Sequence, residues 1–537
     1  MSLDTLKPPT GNAGLVLRIS LGIAAAVFLW ALLDPDSLTS AASIFTLGAL
    51  ETADWFFLTF ATMLLIMSLA LGFSRFGRMR LGRDDECPEF STVSWISMLF
   101  AGGMGAGLIF WGAAEPLTHY QDPPGLTGNT PEAAREAMVI THLHWGLHAW
   151  AIYGMCALVI GYFTFRKGMR PLTSSPIKAV FPATPRGALV AADVLAVLAV
   201  LFGIVGSLVQ GVLQLRAGVT SVFETDPESN LIATLLIVAL TVAFMLSAST
   251  SVDKGIRILS NTNVALTVAL VLFVLFTGPT RYMLETLVTS FGDYAQRLVE
   301  MAFRLFPYEG LTEWTSAWTL NYFLWWLAWG PFVGIFIARI SRGRTIREFV
   351  LGVVFVPALF SVFWFAVLGG AGIFIESEGA GGLGPIVTED VSAALFAFLG
   401  NFPAPGFIAI GALLILFVFL VTSADSGTFV LAMMTEDGDE NPPVSRKLLW
   451  GMILAAMTLA ITLVGTVPVA RAMAVLGAVP FTVVLVVQMG AFVKTIRQEP
   501  AAAGRVPAEP ERPPPAPAET PPPVAVATEH DQDGQRS

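Results

Sequence analysis

The chain is 537 residues long, 55% hydrophobic and only 13% charged, with a mean hydropathy of +0.70. Soluble globular domains carry about 25% charged residues, so this composition excludes one; with long apolar runs along most of its length, the chain reads as a polytopic helical membrane protein. The net charge of −10 sits in loops and tail, and no basic patch with interleaved aromatics speaks for a nucleic-acid partner.

Residues 1–14 are polar with Gly and Pro, and the apolar run after them lacks a small-residue cleavage pattern. It reads as a retained span, not a removed signal peptide. Apolar windows of about 20 residues fall near 15–33, 55–73, 93–114, 138–163, 189–215, 229–248, 262–278, 318–340, 350–373, 406–433, 448–467 and 472–493, about twelve spans in all. Basic residues cluster after the even-numbered spans: Arg75, Arg78, Arg80 and Arg83; Arg166, Lys167 and Arg170; Lys254 and Arg257; Arg339, Arg342, Arg344 and Arg347; and Arg446 with Lys447 before span 11. The opposite loops carry Asp34, Asp36, Glu224, Asp226, Glu376 and Glu378. The positive-inside rule then places both termini in the cytoplasm. Cys87 lies in a basic loop and Cys156 mid-span, which speaks against a structural disulfide. Residues 281–304 mix apolar positions with Arg281, Glu285, Asp293, Arg297 and Arg304. An amphipathic helix at the outer interface and an ordinary polar loop helix fit that pattern equally well. After Lys494 the chain turns to Pro, Ala and Glu, a disordered or polyproline-like tail.

Two spans look interrupted. Span 3 holds Ala101-Gly102-Gly103-Met104-Gly105-Ala106-Gly107, four glycines in seven residues. Close helix packing is one reading; an unwound segment whose backbone faces a ligand is the other. Span 8 holds Trp325-Trp326-Leu327-Ala328-Trp329-Gly330-Pro331-Phe332, where proline is expected to kink or break the helix. Spans 3 and 8 lie five apart, and an odd offset is what inverted repeats require. Matching broken helices in two halves point to a secondary-transporter site near the midplane. This divides the chain into a tail (1–14), two peripheral helices (15–92), a first repeat (93–280), an amphipathic outer segment (281–317), a second repeat (318–494) and a tail (495–537).

At 100° per residue, Trp145, Tyr153 and Trp150 of span 4 fall at about 0°, 80° and 140°, and Trp325, Trp329 and Trp326 at about 0°, 40° and 100°. Each set occupies one face, within its span rather than at the ends where aromatic belts sit. Such faces suit an aromatic cage for a cation or plain core packing. His142, His144 and His148 lack accompanying Cys or carboxylate ligands for a zinc site, and read better as neutral histidines hydrogen-bonded between helices. Thr422-Ser423-Ala424-Asp425-Ser426 in span 10 either hydrogen-bonds across helices or offers oxygens to a hard cation. Asp193 and Asp425 are ionisable groups inside spans, a costly placement that by default signals function, the alternative being a neutralised or paired structural group. No nucleophile and base come together as an enzyme requires.

Gly103-Met104-Gly105-Ala106-Gly107, Trp111 through Pro116, His144 through Trp150, Trp325 through Phe332, Ile337 through Arg344, and Thr422 through Ser426 together resemble the betaine/choline/carnitine transporter family, over roughly residues 15 to 494. The resemblance implies a LeuT-like five-plus-five inverted-repeat core after two extra helices, in a bacterial plasma (inner) membrane, often as a homotrimer. It implies a trimethylammonium group caged by Trp145, Trp150, Tyr153 and Trp326, with Trp325 and Trp329 along the path and Gly103, Gly105 and Gly107 lining it. It implies a sodium ion, as coupling ion and not a cofactor, on the carbonyls of Ala101, Met104 and Phe419 and the hydroxyls of Thr422 and Ser423. Choline-type, proton-coupled members tend to have Asp at the last glycine of the motif; Gly107 here favours a zwitterion, which brings its own carboxylate. Members with a second sodium ion place Thr and Ser three residues apart in span 5, where this chain has Ile204 and Ser207. Osmoregulated members carry a basic tail, and this one is acidic. The expected function is sodium-coupled import of a betaine-type solute, glycine betaine first, by alternating access. Sodium-independent or proton-coupled transport of choline or carnitine is the alternative within transport; a channel or membrane sensor with an aromatic site is the alternative outside it.

Overall fold

The computed structural model describes residues 12–103, 105–249, 253–463 and 467–499. These residues hold twenty α-helices and no strand, apart from one isolated antiparallel bridge between Arg80 and Thr345. The first half comprises α1 (Asn12–Leu33), α2 (Pro35–Phe73), α3 (Thr92–Gly103), α4 (Ala106–Gln121), α5 (Pro131–Trp145), α6 (Leu147–Gly161), α7 (Ser174–Val180), α8 (Arg186–Phe223), α9 (Asn230–Ser249), α10 (Asp253–Thr277) and α11 (Thr280–Ala302). The second comprises α12 (Thr312–Thr315), α13 (Asn321–Ile340), α14 (Ile346–Val350), α15 (Val356–Ser377), α16 (Leu383–Glu389), α17 (Ala394–Leu399), α18 (Pro405–Thr435), α19 (Val444–Thr462) and α20 (Val467–Ile496). π-turns at Tyr162–Arg166, Ser316–Leu320 and Leu351–Phe355 extend α6 and lead into α13 and α15.

Among the described residues, eleven helical stretches are long and apolar enough to cross a membrane. Helices run through the described residues of all twelve sequence windows, but the third divides into α3 and α4, of 12 and 16 residues, each short of the roughly 20 that a crossing takes. Several helices leave apolar stripes bare, such as Leu231, Leu235, Val238 and Val242 on α9. Such stripes suit lipid rather than water. The long helix α8 is buried along most of its length and packs against α20, α18 and α13, and α6 packs along α13.

Three expectations change. The helix does not break at Gly330-Pro331: α13 runs through both residues. Gly330 and Gly334 instead let α6 approach, since a Cβ at either would sit 2.8 Å and 3.0 Å from the Cys156 side chain. This is the small-residue seam by which membrane helices pack closely. Span 4, read as continuous, breaks at Gly146 (φ −93°, ψ −133°) between α5 and α6. Of the segment 281–317, α11 accounts only for Thr280–Ala302. It is pinned to the start of α5, with Arg135 on Asp293 at 2.6 Å and both Arg297 and Arg304 on Glu136 at 2.6 Å.

The basic loops gather at one end. Arg342 pairs with Glu86, Arg80 donates to the Gly343 carbonyl (2.6 Å), and Arg166 reaches Asp84 (2.7 Å) and Glu499 (3.1 Å). Arg186 donates to Asn12 at 2.6 Å, bringing the start of α1 to the same end of α8. Asp193 accepts from the backbone N–H and the hydroxyl of Ser174 (2.8 and 2.7 Å), so it holds the first turn of α7; its burial is explained without a functional role. The tail from residue 500 onward lies outside the described residues.

Candidate binding site at the broken helices

The sequence breaks two helices at the same place in space. Between α3 and α4, Gly105 is extended (φ −111°, ψ −164°), and α4 starts at Ala106 with no side-chain cap, which leaves its first N–H groups for a ligand or water. Between α5 and α6, Gly146 is enforced by crowding: a Cβ there would sit 2.4 Å from the His142 carbonyl and 2.7 Å from the Tyr294 hydroxyl. The groups that this break frees find partners elsewhere. The His144 carbonyl accepts from Trp326 Nε1 (2.9 Å), and the Leu147 N–H donates to the Tyr294 hydroxyl (3.1 Å).

A cavity of about 200 Å³ opens between the breaks. Trp145, Trp150, Tyr153, Trp325, Trp326 and Trp329 all line it, together with Gly105 and Gly107. Trp145 and Tyr153 meet Trp326 edge to face, with ring centroids 4.9 and 5.7 Å apart, and Trp150 meets Tyr153 at 5.9 Å. Trp325 stacks beside Trp326 at 6.2 Å, and its Nε1 donates to Ser207 (3.2 Å). The structure thus brings all six predicted aromatics together. The wheel that grouped the span 4 residues assumed a continuous helix; they converge instead across the Gly146 break, on either side of Trp326.

Phe419, Thr422 and Ser423 of α18 line the same cavity. Thr422 Oγ1 donates to the carbonyls of Val418 and Phe419 (3.0 Å each), which leaves its lone pairs turned away from its own backbone. Ser423 Oγ lies 4.0 Å from where a Cβ on Gly105 would be, so these hydroxyls sit beside the α3–α4 break. Met104 falls outside the described residues, and so does the side chain of Ala101; Gly103 is described only as the last residue of α3. Ile204 packs into α18, its Cδ1 2.4 Å from a Cβ at Gly427, and offers no oxygen for a second ion. Asp425 hydrogen-bonds to Ser247 of α9 and does not line the cavity.

Sequence reasoning missed Glu115. Its carboxylate is fully buried; Oε1 accepts from His144 Nδ1 (2.6 Å), and Oε2 from Trp145 Nε1 (2.6 Å) and Tyr322 Oη (2.5 Å). His119 Nε2 approaches Oε1 at 3.6 Å. Of the three histidines in the expectation, His144 therefore does have a carboxylate partner, contrary to it. Glu115, His119 and His144 could hold an ion, as the donor atoms lie within 4.8 Å of one another, but N–H and O–H donors already occupy both carboxylate oxygens. His144 and His148 do not share a ligand: His148 Nε2 goes to Thr62 (3.4 Å) and its ring stacks on Phe323. His142 pairs with Ser290 at 2.9 Å, so all three histidines hydrogen-bond between helices. Glu115 escaped notice because it lies one residue beyond the apolar window, although six more residues continue the same helix to Gln121.

A family profile for the betaine/carnitine/choline family transporters matches residues 15–501, and the cavity lies within that stretch. The chain belongs to the betaine/carnitine/choline transporter family. It is 40% identical, over 90% of its length and 94% of the relative's, to the glycine betaine transporter OpuD of Bacillus subtilis. It is 37% identical to the ectoine/hydroxyectoine transporter of Virgibacillus pantothenticus, over 82% of this chain and 88% of the relative. It is 36% identical to the betaine/ectoine transporter LcoP of Corynebacterium glutamicum, over 94% and 80%. This membrane protein is therefore a transporter and not an enzyme, and its six aromatics face one cavity in a multi-span helical bundle.

Proposed function

We propose that this transporter imports a zwitterionic quaternary-ammonium solute, glycine betaine first, by sodium symport through alternating access. The observation that carries the reading is the single cavity in which six aromatic residues face the hydroxyls of α18. A methylated ammonium is drawn to indole and phenol rings by roughly 0.5–2 kcal/mol per ring when desolvated. The uncapped start of α4 supplies N–H groups and a positive dipole end for the solute's carboxylate. Phe419, Thr422 and Ser423 offer oxygens suited to a hard cation next to the α3–α4 break, so ion and solute would order the same broken segment. That shared ordering is a physical basis for coupling.

The repeat architecture belongs to the same reading. The α3–α4 pair acts as a twelfth crossing, and 93–280 and 318–494 are inverted repeats. The irregular turns support this: the first two spans of one half break at Gly105 and at Gly146, and the first two of the other carry π-turns at Ser316–Leu320 and Leu351–Phe355. The gathering of basic loops at one end supports cytoplasmic termini. A homotrimer in a bacterial inner membrane follows from the family resemblance.

Uptake of labelled glycine betaine into proteoliposomes, with and without an inward sodium gradient, tests the proposal. Uptake indifferent to sodium would remove the coupling, and no saturable uptake would remove the substrate. Ectoine is the second reading, since two relatives at 36–37% identity carry that name. Competition by unlabelled ectoine, choline and carnitine ranks the candidates.

A further inference from the structure

We propose that Glu115 is the positioning residue of the aromatic cage, fixing Trp145 and Tyr322 through one shared carboxylate. Glu115 itself does not line the cavity. Its Oε2 accepts from Trp145 at the end of α5 and from Tyr322 in α13, and its Oε1 from His144, so one side chain of α4 ties three helices together. Trp145 is held twice by α4. Glu115 takes its Nε1–H, while Gly107, about two turns earlier, lets the far edge of the ring come within 3.0 Å of a Cβ position. Tyr322 stacks on His144 (4.7 Å) and lies within 6.2 Å of Trp145, Trp325 and Trp326, forming the backing of the cage. Arg471 lies over Trp111 and Trp318 (4.5 and 4.7 Å), whose rings adjoin Tyr322, and gives the buried carboxylate a counter-charge without covering either oxygen.

The chemistry explains why a carboxylate is used. Hydrogen bonds to an ionised acceptor are shorter and stronger than neutral ones, and a carboxylate accepts from three donors that an amide could satisfy only in part. Because protein donors take both oxygens, the anion orients the rings and is not offered to the solute's ammonium.

The functional arm of the test rests on the transport reading above; the spectroscopic arm does not. Glu115→Gln, Trp145→Phe and the double variant are reconstituted, and their betaine uptake and melting temperatures are measured. The expected result is a KM raised about tenfold in each single variant, with maximal uptake changed less than about twofold. The double variant should fall well short of the product of the two single effects, because Glu115 acts in part through that indole and only its hold on Tyr322 remains to be lost. Multiplied single effects in the double variant would overturn the proposal. Independently of any solute, the emission of Trp145, taken as the difference between spectra with and without that residue, should shift in Glu115→Gln. An unchanged difference spectrum overturns the assignment even if the carried solute proves to be another. Should Glu115→Gln not fold, Tyr322→Phe removes one donor and leaves the carboxylate; the proposal then expects a raised KM with maximal uptake retained, and an unchanged KM refutes it.

Discussion

At the scale of single residues, ring chemistry and one missing side chain set what the cavity can hold. Trp326 is the ring that Trp145 and Tyr153 both face, and its Nε1 also closes the broken end of α5. Trp326→Leu should therefore raise the KM for glycine betaine by roughly five- to thirtyfold, the equivalent of about 1–2 kcal/mol for one cation–π partner. Betaine uptake unaffected by that change would mean that the cage lies elsewhere. Gly107 argues in the other direction. A side chain there meets Trp145 at 3.0 Å and would bring a carboxylate to the cavity wall in the case of Asp. Gly107→Asp should weaken betaine, whose own carboxylate it repels, and admit choline; competition assays that keep the wild-type ranking would contradict this. The aromatic identities were legible because few other roles place so many indoles within spans. Glu115 was not, because a lone acid near a window's edge looks like a loop residue until its three donors are seen around it.

At the scale of helices, glycine has two uses here that the sequence does not separate. At Gly105 and Gly146 the chain breaks; at Gly330 and Gly334 a continuous helix meets a neighbour. Local rules favoured a break at Gly330-Pro331, since proline removes one N–H and crowds the preceding turn. Neighbouring helices in a membrane bundle can absorb that loss, and the packing of α6 along α13 keeps the helix whole. Gly146→Ala should cost stability, by roughly 1–3 kcal/mol for a backbone and side-chain clash, and raise the KM as Trp145 and Trp150 move apart. A melting curve and a KM both equal to wild type would show that the break tolerates a side chain. The amphipathic segment resolves in the same way: periodicity described α11, and only the pairs with Arg135 and Glu136 show that it is fastened to the bundle.

At the scale of the whole molecule, the ion pairs at the basic end fasten the last helix. Glu499 accepts from Lys167 (2.6 Å), Arg166 (3.1 Å) and Tyr162 (2.9 Å). Burial pulls its pKa upward, but those three donors outweigh it and hold the carboxyl at about 2, below the ordinary 4.5. A depressed carboxyl stabilises the fold above its unfolded value and loses that contribution as pH falls toward the folded one. Glu499→Gln should thus lower the melting temperature at pH 7, and the gap to wild type should narrow below about pH 4.5. A gap constant from pH 7 to 3.5 would argue against the clamp. Cys87 is exposed in the loop after α2, whereas Cys156 is buried. A membrane-impermeant maleimide should therefore label inside-out vesicles and spare intact cells; the reverse pattern would invert the proposed topology.

The sequence by itself determined the membrane class, the family, the positions of the helical spans and the aromatic residues of the cavity. These follow from residue type and from periods of a few residues, which any local window contains. Tertiary structure alone decided which glycines break a helix, that Trp145 reaches Trp326 across the Gly146 break, and that Glu115 holds both Trp145 and Tyr322. Trp326 lies 182 positions from its acceptor at His144, and Tyr322 lies 207 from Glu115. Contacts at such separations depend on how whole helices pack, and no local pattern encodes them.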